Sequence, residues 1–247
     1  MNVLEVNPSI RVNELAGELG VSSETVRRDL TELDETGRIK RTYGGAIRTA
    51  TFEPALAERL KLHIRAREKI ARMAVERVGD AHSLFIGGGA TMLHFARALH
   101  NIERRLTVLT PAFSIATELS ANPLIEVMAL PGIVEPKEGL VYGGETLKCI
   151  SQFRTPLAVV GASGVDSEGV SEALLNVAQV YSAMIKNSDQ TMVLADASKF
   201  GTRSLQQIIG LQGNLCLVTD KAPDPILHDA IRRSRTEVIF DPVETET

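Results

Sequence analysis

The chain has 247 residues, 44% hydrophobic and 23% charged, with a formal net charge of −4. That balance fits one large domain or two with a substantial core, and it excludes a protein that coats nucleic acid through bulk positive charge. Two cysteines without ligand spacing, no apolar run near the roughly 18 residues a bilayer needs, and no basic-then-apolar leader exclude a disulfide framework, a zinc site and a membrane anchor, and imply a cytoplasmic protein.

In chain order, Val12, Leu15, Ala16 and Leu19 recur at helical spacing and form one buried stripe. Gly20 ends that helix, Val21 tucks in, and Ser22 supplies an N-cap for a second helix with Val26, Leu30 and Leu33 on its buried face. Glu24, Thr25, Arg27, Arg28 and Glu32 fall outside that face. Two short helices around a tight turn, the second exposing hydroxyls and paired arginines, read as a helix-turn-helix. Arginine donates in parallel to guanine or phosphate, and residues near the start of a recognition helix reach base edges. Ser22, Ser23, Thr25 and Arg28 are therefore assigned to the groove and Arg27 to phosphate.

Next comes RIKRTYGGA, where Ile39 anchors a short strand, Arg38, Lys40 and Arg41 face outward with Tyr43 beyond them, and Gly44-Gly45 permits the turn of a β-wing. Residues 1–48 hold seven Lys/Arg against eight Asp/Glu, so a merely solvated charged face is the competing reading. Four of the seven, however, lie between Arg38 and Arg48, where there is no acid, and local clustering is what tracks phosphate.

Ile47 to Pro54 reads as a polar linker, which divides the chain into a winged helix-turn-helix domain over 1–49 and an α/β domain over 50–247. The periodicity predicts a helix over Ala55–Val78, with Ile70, Ala71, Ala74, Val75 and Val78 buried and Arg59, Arg65 and Lys69 exposed. Strands are expected at 83–86, 106–110, 125–130, 157–161, 191–195, 215–219 and 237–240. Helices are expected at 91–99, 113–119, 145–153, 173–185 and 225–233. Short apolar strands alternating with amphipathic helices imply an α/β class with a mostly parallel sheet.

Ligands in such sheets bind beyond the carboxyl ends of the strands. After the first strand, Gly87-Gly88-Gly89-Ala90-Thr91 opens directly into a helix, whose free N–H groups and dipole suit an anion. A plain strand-to-helix turn is the alternative, because the loop lacks the lysine of a P-loop and has Met92 where a dinucleotide fingerprint needs glycine. Pro131-Gly132 and Gly143-Gly144 are placed after the third strand and Gly161-Ala162-Ser163-Gly164 after the fourth. LADASKFG sets Asp196 and Lys199 at another strand end, either as a surface pair or as groups bracketing a sugar hydroxyl and a phosphate. The candidate effector residues are Gly87, Gly88, Gly89, Ala90, Thr91, Gly132, Asp196 and Lys199.

The string ELAGELGVSSETVRRDLTELDETGRIKRTYGGA resembles the N-terminal signature of DeoR-type bacterial transcriptional regulators. Only Met1 to Val6 precede Asn7-Pro8, so the first helix of that pattern is expected to be incomplete. LFIGGGATMLHFARAL, LTVLTPAFSIATEL, VVGASGV and VLADASKFG resemble the family's sensor domain. The resemblance implies a ribose-5-phosphate-isomerase-like fold that binds a phosphorylated sugar or related metabolite, with phosphate on the glycine–threonine loop and Asp196 and Lys199 in the same cleft. The family usually has Asp-Ser-Gly-Thr-Thr at 87–91, Thr-Asn at 110–111 and Gly-Gly at 131–132. This chain lacks the carboxylate and two hydroxyls at 87–91, which implies a different effector or weaker binding.

The leading expectation is a DNA-binding regulator, a repressor, with a double-stranded operator and a small phosphorylated metabolite as partners. It would act as a homodimer or homotetramer without cofactor, metal or membrane. The competing class is a sugar-phosphate isomerase or hydrolase with a nucleic-acid tether, in which Asp196 and Lys199 supply acid and base.

Overall fold

The computed structural model describes residues 12–35, 39–42, 45–48 and 55–241. The chain divides into two compact units, Met1–Pro54 and Ala55–Thr247. The expected boundary at 49/50 and the residues before Val12 lie outside the described residues.

In the first unit, α1 (Val12–Leu19) packs against α2 (Ser23–Glu35). Val12, Leu15 and Ala16 meet Val26 and Leu30 as its buried apolar groups. The first helix closes as the spacing predicts. Gly20 takes φ +64°, its N–H donates to Gly17 O, and Val21 N–H donates to Ala16 O at 3.1 Å, the paired bonds of a Schellman turn. Leu19 and Val21 correct the expected stripe, being 52% and 42% exposed. The turn is held by backbone hydrogen bonds, so neither side chain has to be buried to close it. Ser22 caps α2 as expected, accepting Thr25 N–H at 3.1 Å.

The wing is an antiparallel pair, β1 (Ile39–Thr42) and β2 (Gly45–Arg48), with Lys40 opposite Ile47 and Arg41 opposite Ala46. Ile47 and Arg48 are therefore strand, not linker, and Gly45 pairs with Thr42 instead of forming the turn. Tyr43 and Gly44 lie outside the described residues.

The second unit opens with α3 (Leu56–Arg59) and α4 (Ile64–Arg77), where one helix over 55–78 is expected. The break falls at His63, which takes the left-handed φ of +52°. Then follow β3 (Ser83–Ile86), α5 (Ala90–Leu99), β4 (Leu106–Thr110), α6 (Phe113–Ser120) and β5 (Ile125–Ala129). A hairpin of β6 (Ile133–Glu135) and β7 (Leu140–Tyr142) leads to α7 (Gly144–Ile150), so Gly143-Gly144 follows this hairpin and not the third strand of the sheet. The chain continues through β8 (Thr155–Gly161), β9 (Gly164–Asp166), β10 (Gly169–Glu172), α8 (Leu175–Lys186) and β11 (Ser188–Leu194). After a 3-10 turn at Ala197–Lys199 come β12 (Gln206–Gly210), β13 (Leu215–Val218), α9 (Pro225–Ser234) and β14 (Glu237–Ile239).

Seven strands form one sheet in the order β14-β13-β11-β8-β3-β4-β5, and every pairing in it is parallel. Its central strands are near-continuous apolar runs such as Leu84-Phe85-Ile86 and Ala158-Val159-Val160, all fully buried, because both faces are covered. A smaller sheet, β12-β10-β9, was not foreseen; its strands are short and Gly169 and Gly210 interrupt their apolar pattern. The main sheet runs from β3 to β4 and β5 in one direction, then returns to β8 on the other side of β3. Strand order thus reverses between β3 and β8, and a cleft opens at such a reversal.

Cys216 is buried and Cys149 partly so, and both are free. Arg65 is exposed, but Lys69 is half-buried and donates to Asp241 O, and Arg59 is turned inward instead of lying on an exposed helix face. Among the described residues no helix is long and apolar enough to cross a membrane.

Candidate DNA-binding face and effector site

The DNA-facing candidates begin on α2. Arg28 is exposed, as are Ser22, Thr25 and Arg27, while Ser23 is half-buried. The Ser22 and Thr25 hydroxyls lie 2.8 Å apart, and Ser23 Oγ donates to Asn13 Oδ1 at 3.1 Å, which ties α2 to α1. Arg27 lies 3.6 Å from Glu24, with side chains 54% and 85% exposed, too open to water to be held firmly. Lys40 and Arg41 are strand residues of the wing.

The effector candidates gather at the carboxyl end of the main sheet. Gly87–Ala90 follow β3 at the strand-order reversal and are buried, with Thr91 half-buried. Gly161, at the end of β8, neighbours this loop: a Cβ there would stand in ordinary contact with Gly88 O, 3.9 Å away. Asp196 follows β11, the next strand beyond β8, and is 2% exposed. The loop after β3 and Asp196 therefore share one sheet end, one strand apart. Gly132 sits against the β6–β7 hairpin, where a Cβ would clash with Thr146 Oγ1 and Tyr142 O at 2.1 and 2.7 Å. Lys199 is half-buried, and its N–H donates to Asp196 O at 3.0 Å.

Two of the loop's amides are already used. Gly87 N–H donates to Val159 O at 2.8 Å and Gly88 N–H to the Tyr181 hydroxyl at 3.1 Å, which in turn donates to Gly88 O at 2.8 Å. A Cβ on Gly87 would lie 2.8 Å from the Tyr181 ring, so glycine is required there by packing. Gly89, φ +104°, is the N-cap of α5 and offers no side chain to its first turn, where the N–H groups of Ala90, Thr91 and Met92 point along the helix dipole.

Around this loop lies a set of buried charges. Arg59 pairs with Glu138, their side chains 15% and 7% exposed. Arg67 donates to Arg59 O and to Leu62 O, the latter at 2.7 Å. Its Nε lies 3.9 Å from Asp196 Oδ2, an ion pair beyond hydrogen-bond length. Asp196 Oδ1 accepts from the Ser198 backbone and hydroxyl, whereas Oδ2 accepts no hydrogen bond. Glu172 accepts from Ser163 Oγ, Ala173 N and Leu174 N at 2.8, 2.8 and 3.2 Å. Burial pushes the Tyr181 phenol far above its usual range, Glu172 and Glu138 push it further, and Arg59 opposes them. One hydroxyl thus feels three of these charges.

Arg59, Arg67, Glu138, Glu172 and Tyr181 are absent from the candidates read in sequence. Two carried a signal. Arg67 stands in the buried phase of its helix, three and four residues before Ile70 and Ala71, and Tyr181 lies in phase with Val177, Ala178 and Met184. Glu138 and Glu172 lie on a turn and at a strand end, where no periodicity marks them.

A DeoR-like helix-turn-helix domain model matches residues 1–52, and the DeoR C-terminal sensor domain model matches residues 62–221. The chain is 29% identical over 241 residues to the HTH-type transcriptional repressor GlcR of Bacillus subtilis (strain 168), covering 97% of this chain and 93% of that one. It is 31% identical over 219 residues to the glycerol-3-phosphate regulon repressor of Escherichia coli (strain K12), covering 88% and 86%. Among solved structures, ribose 5-phosphate isomerase A from Methanocaldococcus jannaschii matches 55% of this chain and 54% of that one, with a TM-score of 0.41 and 20% identity. With one family model spanning well over half of its length and a second on its N-terminal unit, the chain belongs to the DeoR family of transcriptional regulators.

Proposed function

We propose that this protein is a repressor that binds a double-stranded operator as a homodimer or homotetramer, and that a small phosphorylated metabolite, a sugar phosphate or similar, controls it. Ser22, Ser23, Thr25 and Arg28 would face the groove, with Arg27 and the wing residues Lys40, Arg41 and Tyr43 on phosphate. The metabolite's phosphate would sit at the N-terminus of α5, on the Gly89–Thr91 turn, with Asp196 and Lys199 at the same sheet end. The observation that carries this reading is the pairing, in one chain, of an exposed Arg27-Arg28 helix face with an uncapped helix N-terminus at the strand-order reversal.

The site is read as a sensor, not a catalyst. Asp196 Oδ1 already accepts from the Ser198 backbone and hydroxyl, and its carboxylate lies beside Arg67, which supports a structural part for it over a catalytic one. The test is to select duplexes from a randomised pool with the full-length protein and titrate the selected DNA with glycerol 3-phosphate, glucose 6-phosphate and their unphosphorylated forms. A change in DNA affinity with one phosphorylated compound only is the expected result. DNA affinity indifferent to every phosphorylated compound would overturn the effector assignment, and no enrichment of any sequence would overturn the operator assignment. Isomerase turnover abolished in Lys199→Ala would overturn the sensor reading.

A further inference from the structure

The sensor unit's first helix is held by polar ties. α3 is a single turn that follows the segment 49–54 joining the two units in sequence, and none of its residues is buried. Leu56 N–H donates to Lys137 O at 3.3 Å, and the Arg59 guanidinium pairs with the Glu138 carboxylate. Both partners belong to the turn between β6 and β7, and Glu138 lies 79 residues from Arg59 in the chain. At the same time, Arg59 Nη1 is 3.8 Å from where a Cβ on Gly89 would stand. One guanidinium therefore lies between the carboxylate it holds and the helix N-terminus assigned above to phosphate.

We propose that Arg59 is a ligand-operated latch: a phosphate at the N-terminus of α5 takes its guanidinium from Glu138, and α3 is thereby loosened from the β6–β7 turn. The segment leading to the DNA-binding unit then starts from a different anchor. The proposal rests on the anion reading of the Gly89–Thr91 turn. Exchanging one anion for another leaves the buried guanidinium compensated, which simply removing Glu138 would not. The planar fork of arginine accepts phosphate in two parallel bonds, so the replacement is a strong one. Without Arg59 facing it, a carboxylate as buried as Glu138 has more to gain from water, and movement toward it carries its turn along. A hydrogen bond as long as the Leu56–Lys137 contact is a weak tether against that motion.

Backbone hydrogen exchange on the full-length protein tests the latch, in inorganic phosphate and in chloride of matched ionic strength. The expected pattern in phosphate is slower exchange at residues 90–93 and about tenfold faster exchange at 56–60 and 137–141. Glu138→Gln without phosphate should reproduce the fast exchange at 56–60 and bind phosphate several-fold more tightly. Protection at 90–93 with unchanged exchange at 56–60 overturns the latch and leaves the anion reading standing. No protection at 90–93 overturns the anion reading itself, and unchanged exchange at 56–60 in Glu138→Gln overturns the latch independently. The wild-type arms decide the matter even if that variant fails to fold.

Discussion

The helix-turn-helix unit and the α/β unit carry their functional groups in opposite ways. On α2 the arginines lie in water, and the ion pair of Arg27 with Glu24 is an exposed contact within one turn. At the sheet end Arg67 and Asp196 are 3% and 2% exposed, and the groups around Gly88 come from positions as far as 93 residues apart. A DNA-reading face needs unspent donors that can leave water for a charged groove. A site inside an α/β unit must instead balance its charges before any ligand arrives, because an uncompensated buried charge would unfold it. Substitutions on α2 should therefore change binding with little change in stability, and substitutions at the sheet end should do the reverse.

The largest effect is expected at Arg67. Arg67→Met strips Asp196 of its counter-charge and should cost about 3–5 kcal/mol in the urea unfolding of the α/β unit. A cost below about 1 kcal/mol would mean that Asp196 finds compensation elsewhere, and the contrast would lose its basis. Tyr181→Phe comes next. It leaves Gly88 N–H and C=O without their shared hydroxyl, and should cost about 1–3 kcal/mol by the same measurement.

Arg28→Ala probes the other side of the contrast. It should weaken operator binding by about 1–3 kcal/mol in an anisotropy titration while the thermal midpoint stays in place. A fallen midpoint with unchanged affinity would make Arg28 a packing residue and erase the distinction between the two units. The smallest effect concerns pH. Burial, with Arg97 and Arg67 adding to it and Glu68 opposing, holds the His94 imidazole below its ordinary value of 6.5. The folded state then refuses a proton that the unfolded chain accepts, so this contribution to stability is present above 6.5 and is lost as pH falls through the folded value. His94→Gln should show a shallower loss of stability on acidification, read from unfolding midpoints across that range.

The same division explains what could be read in advance. The Schellman turn at Gly20, the Ser22 cap and the parallel strands each follow from residues within one turn or one strand, so their chemistry is adjacent in the chain. Leu19 and Val21 misled because a helical stripe says which side is apolar, not how far a partner covers it. The hairpin at 133–142 was missed because its Ile133 and Val134 are exposed, 63% and 50%, and carry no burial pattern.

Sequence by itself therefore determined the family, the α/β class, the exposed arginine-bearing face of α2 and the glycine turn at the end of β3, since each is written in local spacing or in a continuous string. Only the tertiary structure decided which amides of that turn are already bonded, that Tyr181 fills the room beside Gly87, and that Arg59 pairs with Glu138 while Arg67 faces Asp196. Those pairings are set by the order of strands in the sheet, which brings distant segments to one edge, and no local periodicity encodes which buried charge will meet which.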